Sequence, residues 1–338
     1  MERYSRQILF EGIGAEGQRR VRAGRVLVVG CGALGSAQAE MLARAGVGTL
    51  RVVDRDFVEE SNLQRQTLFT ERDARERVPK AVAAERRLRE INSEVECVGE
   101  VADVNNSNVE RLVAGCDVVL DGTDNFATRF LINDACVKHG VRWVYGAAVG
   151  SYGVTMTVLP RETPCLRCVF PETPAAGSAP TCDTAGVIMP VIAVVAAVQV
   201  AEALKLLAGR AESLHRSLMQ FDVWRNEWRR LRLGGRAPDC PACALGRFES
   251  LEAEAGDLAT ALCGRDAVQV TPRAAARLDL AALAERLRAA GEVKANPYLV
   301  RLRAGDYELT VFADARAIIR GTEDVNLART LYARYVGT

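Results

Sequence analysis

A short β-branched run, Arg25–Val29, leads directly into Gly30-Cys31-Gly32-Ala33-Leu34-Gly35, and residues 36–45 after it read as a helix. Strand, tight glycine turn and helix in that order make a phosphate cradle. Glycine lets the backbone turn sharply and approach an anion, while the free N–H groups and positive dipole end of the helix attract it. The pattern predicts a doubly wound, Rossmann-like α/β sheet. Residues 50–53 are the next strand, and Asp54 at its carboxyl end is placed to accept hydrogen bonds from ribose hydroxyls. Up to this point NAD and ATP fit equally well.

The residues beyond Asp54 separate the two. Arg65 and Lys80 follow it, with Asn62 and Gln66 beside the first. Two cations stabilise a triphosphate during transfer, whereas a nicotinamide ring has no use for them; solvated surface charge is the competing reading. A second buried strand, residues 118–120, ends in Asp121-Gly122-Thr123-Asp124-Asn125 at the sheet edge where ligands of such folds bind. A carboxylate there can hold Mg²⁺ against phosphate oxygens, and Asp124 is the candidate. Capping a helix that starts at Phe126 is the competing use of Asp124, and Asp121 or Asn125 could serve instead.

Four of the ten cysteines fall into the pairs Cys165-Leu166-Arg167-Cys168 and Cys240-Pro241-Ala242-Cys243. Two such pairs suit one tetrahedral Cys₄ zinc site, structural because no position is left open. Cys31, Cys97, Cys116, Cys136 and Cys263 read as small apolar fillers. Cys182 differs, because residues 171–180 before it are rich in Pro, Gly and small residues, and a mobile loop over about 171–186 would expose the thiol. The two histidines, His139 and His215, are expected at the surface.

At 338 residues, 49% hydrophobic and 26% charged, the chain can bury a large core and is long enough for more than one unit. A net charge of +1 leaves no global basic field for nucleic acid. Residues 1–3 begin without an apolar signal core, and the apolar stretch 191–207 is interrupted by Gln199, Glu202 and Lys205. A buried helix and a cytoplasmic protein without a membrane partner are expected. Residues 1–246 form the expected nucleotide-binding domain. Beyond Arg247, helices over 249–262 and 279–290, strands over 298–302, 307–312 and 317–319, and a final helix over 324–335 predict a small α+β domain, 247–338, in which Arg329 and Arg334 are solvated.

Taken in order, Arg3-Tyr4-Ser5-Arg6-Gln7, the glycine turn, Asp54, Ser61 to Gln66, Lys80, Thr123-Asp124-Asn125, both cysteine pairs and Thr181-Cys182-Asp183-Thr184-Ala185-Gly186 resemble the ThiF/MoeB/HesA family. These are bacterial relatives of ubiquitin-activating enzymes, and the resemblance spans residues 1–246. It implies ATP- and Mg²⁺-dependent adenylylation of the C-terminal glycine of a ubiquitin-like sulfur carrier, with release of pyrophosphate. Thiamine synthesis, molybdopterin synthesis or tRNA thiolation would draw on the product. The resemblance implies further that Arg6 reaches the ATP of the other subunit in a homodimer, that Asn62, Arg65 and Lys80 bind phosphates, and that Asp124 holds magnesium. Gly30, Gly32, Ala33, Gly35, Asp54, Gln66 and Asn125 complete the expected nucleotide site; Ala33 departs from a glycine common in the family. A sulfur donor such as a cysteine desulfurase is the expected second partner. Cys182 occupies a position that bonds covalently to the carrier in ThiF-like relatives and is dispensable in MoeB-like ones. Residues 247–338 resemble an extension of some ThiF-like proteins and lack the cysteine-bearing loop of a rhodanese. An NAD-dependent oxidoreductase and a catalytically silent zinc scaffold are the competing readings.

Overall fold

The apolar run ahead of the glycine turn forms β1, Arg25–Val29. Val26 and Val28 point into one buried cluster and Leu27 and Val29 into another, so the strand must be covered on both faces. It lies between β2, Thr49–Asp54, and β4, Val118–Asp121, both parallel to it. Addition of β3 (Glu96–Val101), β5 (Arg142–Val149), β6 (Tyr152–Val158), β7 (Ser217–Asp222) and β8 (Glu227–Arg232) gives an eight-stranded sheet ordered 3-2-1-4-5-6-7-8. Strands β1 to β5 are parallel and β5 to β8 alternate antiparallel. The order reverses between β1 and β4, and a doubly wound sheet binds its ligand at the carboxyl ends beside that point.

In the computed structural model residues 2–172, 182–252, 258–262, 266–272 and 277–337 are described. The chain divides into two units, Met1–Ala253 and Glu254–Thr338. In the first, helices Ala33–Ala45, Lys80–Ile91 and Met189–Leu207 supply Leu42, Leu88 and Val200 to one face of the sheet, while Phe126–His139 supplies Phe130 and Ile132 to the other. By length and composition the helix Met189–Leu207 could cross a membrane. Here it lies on β4, β5 and β6, more than half buried, so packing on the sheet accounts for its apolarity. Its Gln199 donates to the Asp121 and Val144 carbonyls at 3.0 Å, and Gln38 donates to the same Asp121 carbonyl at 2.8 Å. The carboxyl end of β4 is thereby anchored from two helices.

His215 corrects the expectation of a surface site: it is largely buried, with Nδ1 3.1 Å from the Ser217 hydroxyl and Nε2 3.5 Å from buried Glu202. Burial pushes its pKa down, partly offset by Glu202. His139 is exposed, 2.7 Å from Glu110. Cys31, Cys97 and Cys136 are buried and Cys116 partly so; Cys263 lies outside the described residues.

The second unit is a six-stranded antiparallel sheet of β9 (Leu258–Leu262), β10 (Ala267–Thr271), β11 (Glu292–Ala295), β12 (Leu299–Ala304), β13 (Tyr307–Phe312) and β14 (Ala317–Arg320), ordered 11-12-13-14-10-9. Helices Leu280–Leu287 and Val325–Tyr335 are capped by Asp279 and Asp324 and pack Leu283, Leu287 and Leu331 against Val300, Leu302, Leu309 and Val311. The helix expected over 249–262 is half wrong. Among the described residues of that stretch Glu249–Glu252 is helical and Leu258–Leu262 is a strand paired with β10, while 253–257 lie outside them. Pairing with a neighbouring strand overrides the helix preference of its Leu and Ala residues.

Candidate functional site

Gly30 leaves β1 with φ of +84°, and a Cβ there would sit 2.7 Å from the Gly122 carbonyl oxygen. A Cβ on Gly35 would fall 1.8 Å from the Gly30 oxygen, which no rearrangement short of unpacking the helix could absorb. Only glycine satisfies these two positions. Ala33 opens the helix, so its methyl is accommodated there, and Gly32 faces open space in which only the Gln66 amide lies nearby, 3.9 Å from where a Cβ would stand. A ligand can approach the backbone of the turn through that space. The Gln66 side chain is 4% exposed, and its Oε1 has no hydrogen-bond partner among the described residues. A buried acceptor left unsatisfied beside an open turn fits a ligand donor better than an apolar neighbour.

Asp54 terminates β2 next to the turn. One carboxylate oxygen accepts from the Cys31 N–H at 2.6 Å and the other from the Asp56 N–H at 2.7 Å. Each oxygen keeps a further lone pair for a ribose hydroxyl. Burial raises the Asp54 pKa, and the nearby Lys80 ammonium opposes the rise. Burial also pushes the Cys31 thiol up, so it stays protonated. Lys80 begins the helix after Pro79, is 5% exposed, and holds Nζ 3.5 Å from Asp56 Oδ2. Asn62 is buried in a 3₁₀ turn, where its Oδ1 accepts from the Glu59 N–H at 3.1 Å. Arg65 is half-buried and donates to the Ser61 carbonyl at 2.8 Å. It has no carboxylate partner among the described residues.

At the end of β4 the roles of the acidic cluster separate. Asp121 is fully buried: Oδ1 accepts from the Thr123 N–H at 2.9 Å and hydroxyl at 2.7 Å, and Oδ2 lies 3.4 Å from Arg129 Nε. Burial raises its pKa against the pull of Arg129. Asn125 takes the cap, its Oδ1 accepting from the Thr128 N–H at 2.9 Å. Asp124 is left exposed, with the Asn125 amide 3.5 Å away and the charge of Arg55 within reach. The helix-cap alternative for Asp124 therefore falls to its neighbour.

Sequence reasoning missed Arg55 and Asp56. Arg55 Nη1 donates to Asp103 at 3.1 Å; burial works against its charge, while Asp103, Asp56 and Asp124 favour it. The run Asp54-Arg55-Asp56 was the signal, since charges directly after a strand of a doubly wound sheet fall at its carboxyl edge. Arg6 stands apart from this cluster: it is exposed on the short helix Ser5–Leu9 and makes no hydrogen bond or ion pair among the described residues. Cys182 begins the helix Cys182–Ala185, which packs against β5; its side chain and residues 173–181 of the expected loop lie outside the described residues.

The four paired cysteines do converge. Their sulfurs lie within 4.8 Å of one another, with Cys165 3.6 Å from Cys240 and Cys168 3.4 Å from Cys243. Thiolates about 2.3 Å from a tetrahedral zinc would stand about 3.8 Å apart, so the set fits that ion. Burial and mutual crowding push the Cys165 thiol up, and burial brings Cys168 up to about 11; a cation among them would reverse both. Arg167, between the first pair, is buried and forks onto Asp134 at 2.9 and 3.0 Å, locking the knuckle to the helix Phe126–His139.

A doubly wound sheet with a glycine cradle at its switch point and a four-thiol knuckle defines an α/β protein of the nucleotide-binding class. The model of the ThiF family matches residues 4–242, and the chain belongs to that family. It is 48% identical over 337 residues to the sulfur carrier protein ThiS adenylyltransferase of Bacillus subtilis, covering 99% of both chains. The SAMP-activating enzyme E1 of Haloferax volcanii is 42% identical, over 75% of this chain and 92% of its own. A crystal structure of E. coli MccB with ATP shares the fold, with TM-score 0.62 and 24% identity over 71% of this chain and 74% of that one. Family membership removes the dehydrogenase reading of the glycine turn.

Proposed function

We propose that the chain adenylylates the C-terminal carboxylate of a ubiquitin-like sulfur carrier of the ThiS type. One carboxylate oxygen attacks the α-phosphorus of ATP, the bond to the bridging oxygen breaks, and pyrophosphate leaves as the acyl-adenylate forms. The observation that carries this reading is a lysine buried at the carboxyl edge beside Asp54 and Asp56, where its ammonium balances buried carboxylates and can serve phosphate chemistry. Asp54 takes the ribose, the N–H groups around Gly32 and the Gln66 amide N–H line the phosphate path, and Gln66 Oε1 is left for a donor of the nucleotide. Asn62, Arg65 and Lys80 neutralise the charge on the leaving pyrophosphate. Asp124 holds the Mg²⁺ that accompanies ATP, a role that suits an exposed carboxylate. The attacking carboxylate is already ionised near neutral pH, so positioning supplies what a base would.

The cation offered to a second subunit is Arg6, exposed beside Leu9 and Phe10, themselves 73% and 65% exposed. Burial of that apolar pair in a homodimer would carry Arg6 to the partner's phosphates. Cys182 stands either as a covalent acceptor from the activated carrier or as a bystander, and a thiol-bearing donor delivers the sulfur. Zinc in the Cys₄ knuckle supplies structure alone. ATP, a carrier and a donor are cytoplasmic reagents, and the protein works among them. For the carrier, the edge strand β8 presents Trp228 and Leu231 with Trp224 at the preceding turn, among Arg225, Arg229, Arg230 and Arg232. An exposed aromatic edge of this kind suits a partner protein. Mass spectrometry of a ThiS-type carrier incubated with the protein and Mg-ATP tests the proposal. A carrier heavier by one adenylyl group is expected, and an unmodified carrier under conditions where a known relative modifies it would contradict it.

A further inference from the structure

Asp56 is joined to the site in three ways. Its N–H donates to Asp54 Oδ1 at 2.7 Å, its carbonyl accepts from the Lys80 N–H at 2.9 Å, and its carboxylate lies 3.5 Å from Lys80 Nζ. One residue thus spans from the carboxylate assigned to ribose to the cation assigned to phosphate. Resting on the functional reading above, we infer that Asp56 is a positioning residue for Lys80. It aims the buried ammonium at the phosphate path and releases it when phosphate arrives.

The geometry argues for aiming rather than clamping. The ammonium comes from the first residue of a helix, so its root is fixed by the backbone bond to the Asp56 carbonyl. Its tip can exchange this acceptor for another, because 3.5 Å is the long limit of a hydrogen bond. A buried charged side chain needs a partner in the empty site, and Asp56 meets that need. A closer, better aligned pair would hold Lys80 away from a triphosphate. Arg55 donates to Asp103 at 3.1 Å, nearer than its approach to Asp56, and Asp56 Oδ2 faces the lysine. Its other carboxylate oxygen is 4.0 Å from Arg55 Nε.

The test is a double-mutant cycle on carrier-dependent ATP–pyrophosphate exchange, using wild type, Asp56→Asn, Lys80→Ala and the double variant. Asp56→Asn keeps both backbone bonds and removes the charge that orients the lysine. Exchange should fall about thirtyfold in the wild-type background and less than about twofold further in Lys80→Ala, as expected of residues that act as one unit. Asp56→Glu should restore the rate to within about threefold of wild type, because the conservative acid still reaches the ammonium. Melting temperatures identify any variant that has merely lost its fold, and such a loss would be additive in the cycle. Equal losses in both backgrounds, or no loss in Asp56→Asn, would overturn the inference while wild-type exchange upholds the functional reading. Wild type inactive with every carrier would overturn both.

Discussion

The carboxyl edge of the large sheet and the cysteine knuckle are both polar clusters in the same unit, and they are finished differently. At the knuckle the sulfurs are drawn within 4.8 Å of one another, and Arg167 behind them is fully engaged with Asp134. Beside them Arg236 donates to the Cys243 carbonyl and leaves its buried Nε without a partner among the described residues. At the carboxyl edge Gln66 keeps an orphaned oxygen, Arg65 lacks an acidic partner among the described residues, and Asp124 is exposed. The knuckle thiols face one another while Asp124 and the Gly32 turn face open space, a difference that suits a metal ion at the first and a larger ligand at the second.

The sharpest break in that comparison comes from Asp124→Ala. It should lower carrier-dependent pyrophosphate exchange by about a thousandfold, since several kcal/mol of charge stabilisation on the metal–phosphate complex is lost. The melting temperature should stay within about 2 °C of wild type, because an exposed residue away from core and caps contributes little. An active variant would remove Asp124 from the site. Cys240→Ser should do the reverse. Metal analysis should find about one zinc per wild-type chain and none in the variant, with a stability loss visible in denaturant, because structural zinc binding is folding free energy. Wild type purified without chelator and free of zinc would end the metal assignment.

Arg6 adds a test that crosses subunits. Inactive Arg6→Ala and Asp124→Ala chains, mixed and allowed to exchange, should regain about one quarter of wild-type sites: half the dimers are mixed, and each has one intact composite site. No recovery after proven exchange would place Arg6 in its own chain's site. The smallest effect is expected from Cys182→Ser, which should keep pyrophosphate exchange within about twofold, since adenylyl transfer needs charge and position but no thiol. Loss of a carrier-sized, reductant-sensitive adduct in the same variant would assign Cys182 to the later sulfur step. Loss of exchange itself would contradict the separation of the two steps.

Much of the fold was legible in the residues. Strand, glycine turn and helix could form only one kind of unit, and the steric demands at Gly30 and Gly35 bear that out. The cysteine pairs announced their convergence although about 70 residues of chain separate them. Other features depended on neighbours that spacing cannot reveal. Residues 258–262 read as helix because Leu and Ala favour it, and only the partner strand β10 makes them a strand. His215 folds back onto buried Glu202 of the preceding helix, 13 residues earlier, a contact that residue type alone does not announce. Asp56 drew no reading from the sequence, and only the fold brings Lys80 beside it. Polar residues whose meaning lies in partners that folding brings together are the ones a linear reading passes over.

Activation of a carrier carboxylate with ATP at the open carboxyl edge is the step on which everything else depends. Exchange of labelled pyrophosphate into ATP measures that step alone, before any sulfur chemistry. With Mg²⁺ and a ThiS-type carrier ending in its native glycine, label should enter ATP, and a carrier lacking that terminal glycine should support none. Exchange that ignores the carrier's C-terminus, or fails with intact carriers while the protein binds ATP, would contradict the proposed activation.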